Sequence, residues 1–349
     1  MEKVIDLNKL VRPNILKMEA YSSARDEYTS EGSKMVFLDA NENPNESGVN
    51  RYPDPQQKKL KTKLSEIKKI PSKNVLLGNG SDEVLDLVFR AFCEPGLDNV
   101  ITLPPTYGMY KVLAGINNVE CREVLLTEDF EPNVEEIFKN VDGNTKLIFL
   151  CSPNNPTGNT FSDNLITEIV EKFNGLLVLD EAYIDFSEKA SWIAELENFP
   201  NLIITQTLSK AYGMAGIRLG ICYASAGIIA ILNKIKPPYN VNELTQNRAY
   251  YRLQNTSEVN REIADILLEK ELLSKALLEV KIIEKIYRSD ANFLLVKIDN
   301  ASKRYAQLLS KGIVIRNRTR QPLCENTLRL TIGTKEENLK LIKALKSLD

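Results

Sequence analysis

Four short segments of this chain carry residue types that do chemistry, and each follows an apolar run. Gly78-Asn79-Gly80-Ser81-Asp82-Glu83 follows the run 75–77 and leads into a helix-like stretch. Small residues entering a helix leave its first N–H groups free to hold a phosphate, and a Ser/Asp helix cap with glycines for the turn is the plainer reading. Glu83 stands where a dinucleotide fingerprint needs a third glycine, and the lysine of a nucleotide-triphosphate loop is missing, so a single phosphate is the anion to expect. Cys151-Ser152-Pro153-Asn154-Asn155-Pro156-Thr157-Gly158 follows the run 146–150. A plain turn accounts for its Pro and Gly, whereas aiming an amide at a ligand also accounts for the two Asn. Asp180-Glu181-Ala182-Tyr183 follows the run 176–179. A carboxylate ending a fully apolar strand is costly unless it meets a cation, so Asp180 is a candidate partner for a protonated ring nitrogen or an arginine. Tyr183, three residues on, returns toward the same pocket. A metal is the rival reading, without histidine or a further acidic cluster to support it. Thr207-Leu208-Ser209-Lys210-Ala211-Tyr212-Gly213-Met214-Ala215-Gly216-Ile217-Arg218 follows the run 202–205. A lysine in so small and apolar a setting is poorly placed for a solvated surface. Burial near other cations lowers its pKa and makes it a competent Schiff-base amine.

The elements that would position these segments are legible as alternation. Strand-like runs recur at 75–77, 99–103, 146–150, 176–179, 202–205 and 219–223, with helix-like stretches such as 82–92 and 164–173 between them. That pattern predicts an α/β fold, a mostly parallel central sheet flanked by helices. The runs 147–150 and 176–179 are apolar at every position, as when both sheet faces are covered. Ligands of open α/β sheets bind beyond the carboxyl ends of the strands, so all four segments belong to one edge. Together they offer a phosphate cradle, an acid for a ring nitrogen, a Tyr and an Asn for a ring oxygen, and an amine. A pyridoxal phosphate pocket requires that set. The texture changes after Lys236-Pro237-Pro238-Tyr239, where 242–278 reads as one long helix, followed by strand-like 291–298, 312–315 and 327–332. The expected division is an N-terminal arm (1–30), a large cofactor-binding α/β domain (31–238), and a linking helix with a small α+β domain (239–349).

Composition narrows the function classes. At about 150 residues per domain, 349 residues suggest two domains. Lys+Arg 45 against Asp+Glu 47 leaves a net charge of −2 and no electrostatic footprint for nucleic acid. No apolar run approaches the roughly 18 residues of a membrane span, and the first residues lack a secretory segment, so a cytoplasmic protein is expected. Five cysteines without a CxxC pair argue against a zinc ribbon or a disulfide framework. The chain contains no histidine, which removes imidazole bases and serine or cysteine triads. Any proton carrier must be Lys, Asp, Glu, Tyr or Cys.

With these residues in view, the sequence resembles the fold-type I pyridoxal phosphate-dependent aminotransferases, and within them the histidinol-phosphate aminotransferases. The resemblance runs nearly end to end, from Leu38-Asp39-Ala40-Asn41-Glu42-Asn43-Pro44 to Thr327-Leu328-Arg329-Leu330-Thr331-Ile332-Gly333. Asp180–Tyr183 and Ser209–Arg218 carry the superfamily signature, while Asn50-Arg51-Tyr52-Pro53-Asp54-Pro55 and Gln321-Pro322 with Leu328-Arg329 point to the narrower branch. The resemblance implies that Lys210 holds the cofactor covalently and serves as the base. It also implies that Asp180 pairs with the ring nitrogen, that Asn155 and Tyr183 bond the ring oxygen, and that Tyr107 stacks on the ring. Gly80, Ser81, Thr207, Ser209 and Arg218 would hold the phosphate, with Tyr52 reaching it from the partner of a homodimer. Thr207 keeps the hydroxyl of the serine often found there. Arg316 and Arg329 would clamp substrate anions, helped by Tyr21 and Asn155, while strand alternation is expected to turn Arg318 and Arg320 outward.

The implied reaction is L-histidinol phosphate plus 2-oxoglutarate giving imidazole acetol phosphate and L-glutamate. Phosphothreonine decarboxylation and aromatic amino acid transamination are the alternatives within the superfamily. A regulator without turnover would add a basic DNA-binding segment, and the first 30 or so residues carry no basic cluster.

Overall fold

The computed structural model describes residues 5–21 and 36–348, so residues 1–4 and 22–30 of the expected 1–30 arm, and its boundary with the next domain, lie outside the described residues. Seven strands, β1 (Val75–Asn79), β2 (Asn99–Thr102), β3 (Glu120–Glu123), β4 (Thr145–Cys151), β5 (Leu176–Asp180), β6 (Leu202–Thr207) and β7 (Leu219–Ala224), form one sheet in the order β1-β7-β6-β5-β4-β2-β3. All neighbours from β6 to β3 run parallel, and β7 is antiparallel to both β1 and β6. The mostly parallel α/β expectation holds.

Period-two alternation divides each central strand between two cores. On β4, Ile148 and Leu150 face one cluster while Leu147, Phe149 and Cys151 face the other, and β5 divides likewise at Leu177 and Leu179 against Leu176 and Val178. Helices Gly80–Phe92, Met109–Ile116 and Ala226–Ile235 cover one face. Helices Asp163–Lys172, Glu243–Gln254 and the start of Thr256–Leu277 cover the other. Val11 and Ile15 of the N-terminal region join the first of these layers.

A second sheet, in the order β10-β11-β9-β8, comprises β8 (Ile283–Ile286), β9 (Phe293–Ile298), β10 (Arg316–Asn317) and β11 (Thr327–Thr331). β9 joins the two bodies, because Leu294, Val296 and Ile298 enter the small core while Phe293 and Leu295 enter the large one. Among the described residues no helix is long and apolar enough to cross a membrane.

Two expectations are corrected. The stretch 242–278 is two helices rather than one, because Asn255 leaves helical geometry at φ −105 and ψ 50. The strand expected at 312–315 forms instead as the two-residue β10, which begins just past the expected end. Gly312, with a φ of +74, closes the preceding helix in a left-handed conformation that strand geometry does not admit.

Candidate active site

β4, β5 and β6 are mutually parallel, and β1 is parallel to β6 through its two antiparallel steps across β7. Their C-terminal ends therefore open on one edge, where the residues that follow line a cleft of about 600 Å³. The structure brings together there Ser81, Tyr107, Asn155, Asp180, Tyr183 and Lys210, along with Thr207, Ser209 and Arg218.

One end of the cleft is built for an anion. Helix Gly80–Phe92 starts directly on the last residue of β1, and Asn79 gives it no side-chain cap, which leaves first-turn N–H groups to serve a ligand. Thr207 donates its hydroxyl to Ser209 Oγ at 3.0 Å and accepts the Ser209 N–H at 3.1 Å, holding both hydroxyls side by side. Arg218 sits 3.7 Å from the Asp82 carboxylate. Gly80 lines the turn rather than the cleft itself, at a φ of +77, and a Cβ there would lie 2.7 Å from Arg218 Nη2. Gly220 on β7 permits the approach of the helix from behind, since its Cβ would fall 2.2 Å from Ser81 N, a backbone atom unable to turn aside. Gly220→Ala is therefore expected to cost about 1–3 kcal/mol of stability, as overpacking does, and to weaken anion binding more than Gly216→Ala, where a Cβ meets open space. Thermal melts and phosphate-ester binding of the two variants check this.

The other end carries a buried acid. Asp180 is 3% exposed, accepts from the Tyr110 hydroxyl at 2.8 Å and from the Ala182 N–H at 3.1 Å, and has no cation within ion-pair distance among the described residues. Burial raises its pKa, and the Tyr110 and Ala182 hydrogen bonds oppose that rise. Tyr183 is buried and packs edge-on against Phe293 of β9, with centroids 5.1 Å apart. Tyr107 donates to Asp82 at 3.0 Å. Burial is the main cause pushing both phenols above their usual range. Lys210 stays open to solvent at the mouth, its Nζ 5.5 Å from the Tyr183 ring centre. Partial burial lowers its pKa, Arg329 adds to the effect, and Asp180 opposes it.

The small sheet supplies guanidinium groups. Arg329 on β11 donates to Asn155 Oδ1, lies 5.2 Å over the Phe293 ring, and keeps a buried Nε without a partner. Arg316 pairs in register with Arg329 but is exposed. Arg318, expected to point outward, is half-buried with its Nε sequestered and unpartnered. Burial, then Arg329 and Arg316, push its pKa down to about 10. Arg320 is exposed, as expected. Tyr21 and Tyr52 stand outside the cleft at 71% and 49% exposure, and Tyr52 stacks on Tyr239 at 4.6 Å. Sequence reasoning missed Tyr110, in the first turn of helix Met109–Ile116, and its closeness in sequence to Tyr107 was the available signal.

A buried carboxylate awaiting a cation, uncapped helical N–H groups beside two hydroxyls, and an accessible depressed amine fit pyridoxal 5′-phosphate. The family model described as "Aminotransferase class I and II" matches residues 25–345. The chain is 66% identical over 347 residues to the histidinol-phosphate aminotransferase of Christiangramia forsetii, with 99% of each chain covered. It is 63% identical over 345 residues to the enzyme of the same name from Flavobacterium johnsoniae, again with 99% of each covered. Among solved structures, the histidinol-phosphate aminotransferase of Clostridium acetobutylicum superposes with a TM-score of 0.80 at 24% identity, over 86% of this chain and 91% of that one, which shows a common fold. The chain belongs to the class I and II aminotransferase family.

Proposed function

We propose that this chain is a pyridoxal 5′-phosphate-dependent aminotransferase that exchanges the amino group of L-histidinol phosphate with 2-oxoglutarate, giving imidazole acetol phosphate and L-glutamate. One observation carries the reading: Lys210, Asp180 and the hydroxyl-lined anion end meet in one cleft, in a chain 66% identical to a histidinol-phosphate aminotransferase. The alternatives, phosphothreonine decarboxylation and aromatic transamination, are not favoured by relatives so similar and so named.

The coenzyme, when bound, supplies a carbonyl for amine exchange and a ring that takes up the electron pair left on the substrate carbon. Ser81, Thr207, Ser209 and Arg218, with the turn at Gly80, would hold its phosphate. Asp180 would hold the protonated ring nitrogen, Asn155 and Tyr183 the ring oxygen, and Tyr107 one ring face. Lys210 Nζ would hold the coenzyme and would serve as the base that takes the proton from the substrate carbon bearing the amine. Burial, with Arg329 beside it, lowers its basicity and so brings the amine closer to the operating pH than a solvated lysine would be.

Histidinol phosphate lacks an α-carboxylate and glutamate has one, so one pocket must accept phosphate and carboxylate in turn. Guanidinium groups grip either anion bidentately. Arg329 and Arg316 are the proposed clamps, with Tyr21 and Asn155 as helpers, and the orphaned Nε atoms of Arg318 and Arg329 support adding Arg318. Arg318→Gln is expected to raise KM for both amino donors by about tenfold, the worth of one charged hydrogen bond, while Arg320→Gln changes it by less than about twofold. Steady-state kinetics on both donors separates the two.

The reading includes a cytoplasmic homodimer in which Tyr52 serves the partner's cleft, in keeping with its exposure away from its own. It also includes the division into 1–30, 31–238 and 239–349, with the two sheets falling on either side of residue 238. Incubation of the coenzyme-loaded protein with histidinol phosphate and 2-oxoglutarate should yield glutamate. Carbon dioxide released from phosphothreonine without glutamate would make the chain a decarboxylase instead.

A further inference from the structure

Tyr110 stands in the first turn of helix Met109–Ile116 and has no exposed surface. Its ring is fixed from two sides, stacked on Phe149 of β4 at 4.9 Å and edge-on to Tyr107 at 5.5 Å. Phe149 is in turn stacked on Phe89, at 5.1 Å. This packing delivers a hydroxyl to Oδ2 of Asp180 at 2.8 Å, behind the cleft. A buried phenol costs free energy unless it is bonded, so a residue that only filled space here would be Phe. Burial and the Asp180 charge keep the phenol protonated, so toward Asp180 it acts as a donor.

We infer that Tyr110 is a positioning residue: its hydroxyl keeps Asp180 ionised and turned toward the cleft, so that the carboxylate meets the coenzyme's protonated ring nitrogen already charged. The inference rests on the coenzyme reading above. Tyr110 touches neither substrate nor coenzyme and acts through Asp180, whose tendency to take up a proton on burial it opposes. Other titratable groups that feel Asp180 are Cys151 on β4, Asp82 on helix Gly80–Phe92, and Tyr107, Tyr183 and Lys210 in the loops. Of these only Lys210 is a cation, and all remain when Tyr110 is changed.

Tyr110→Phe keeps the ring and its stacks and removes the hydroxyl alone. The probe is pyridoxamine 5′-phosphate, which cannot join covalently to Lys210, titrated calorimetrically into coenzyme-stripped protein. Binding is expected to weaken by about tenfold near neutral pH, the loss of one hydrogen bond to a charged group. The loss should grow as pH falls, because Asp180 without its donor takes up a proton that the wild type refuses. In an Asp180→Asn background the same change should matter by less than about twofold, since the coupling runs through the carboxylate. Unchanged affinity and pH profile, or losses that simply multiply in the double variant, overturn the inference alone. Failure of the wild-type protein to bind the probe overturns the coenzyme reading and this inference with it.

Discussion

Lys210→Ala should lower turnover by at least about ten-thousandfold, the upper range for a positioned acid–base group, while the fold is kept. No other lysine lines the cleft among the described residues. The chain has no histidine to stand in. Tyr107 and Tyr183 hold their protons too tightly to act as bases near neutral pH, because burial pushes both phenols upward. Nor can Asp180 replace the lysine, since its oxygens are committed to Tyr110 and Ala182. Turnover and the visible absorbance of bound coenzyme are the measurements. More than about one percent residual turnover would assign the proton to another group.

Asp180→Asn is the second large effect, and it acts in opposite directions on activity and stability. With coenzyme, losing the charge opposite the ring nitrogen is expected to cost about 3–5 kcal/mol of binding and transition-state stabilisation, or roughly a hundred- to five-thousandfold in rate. Without coenzyme, the wild-type carboxylate is buried with no cation within ion-pair distance among the described residues. Its pKa is raised in the fold, so the folded chain binds that proton more tightly than the unfolded chain does. The coenzyme-free protein therefore loses stability as pH climbs past the usual carboxylate range. Asparagine removes that loss, so the stripped variant should melt at or above the wild-type temperature at neutral pH. A stripped variant that melts well below wild type would show that the carboxylate is already paired.

The parts of the fold visible in the sequence are those whose burial leaves a full-length apolar signature. β4 and β5 are apolar at nearly every position because both their faces are covered, and each is found within a residue or two. β3 and β8 lie at sheet edges and read Glu-Cys-Arg-Glu and Ile-Glu-Lys-Ile, which carry too few apolar residues to announce a strand. In the helical stretch after residue 242, the break at Asn255 has no Pro or Gly to mark it, so only backbone geometry reveals it. The four cleft segments were legible because strand ends in such sheets point their loops the same way, whatever the side chains.

Arg318 was misread for a local reason. Alternation holds only while a strand continues, and β10 is two residues long, ending at Asn317. Arg318 still donates its backbone N–H to Thr327 at 2.9 Å, but its own carbonyl accepts from Gln321 N–H at 2.8 Å, so it opens a turn instead of continuing the strand. There its side chain is half-buried. Tyr110 escaped notice for the opposite reason, since a tyrosine inside an apolar helix reads as core, and core it is, apart from one hydroxyl.

The central claim, amine exchange on the Lys210 coenzyme with histidinol phosphate as donor, is tested most directly by a single turnover followed by absorbance. Coenzyme-loaded protein is mixed with histidinol phosphate, phosphothreonine or phenylalanine, each alone. Rapid conversion of the yellow form to pyridoxamine phosphate with histidinol phosphate, reversed by adding 2-oxoglutarate, is the expected result. A yellow form that persists with histidinol phosphate while phosphothreonine releases carbon dioxide would contradict the assigned reaction.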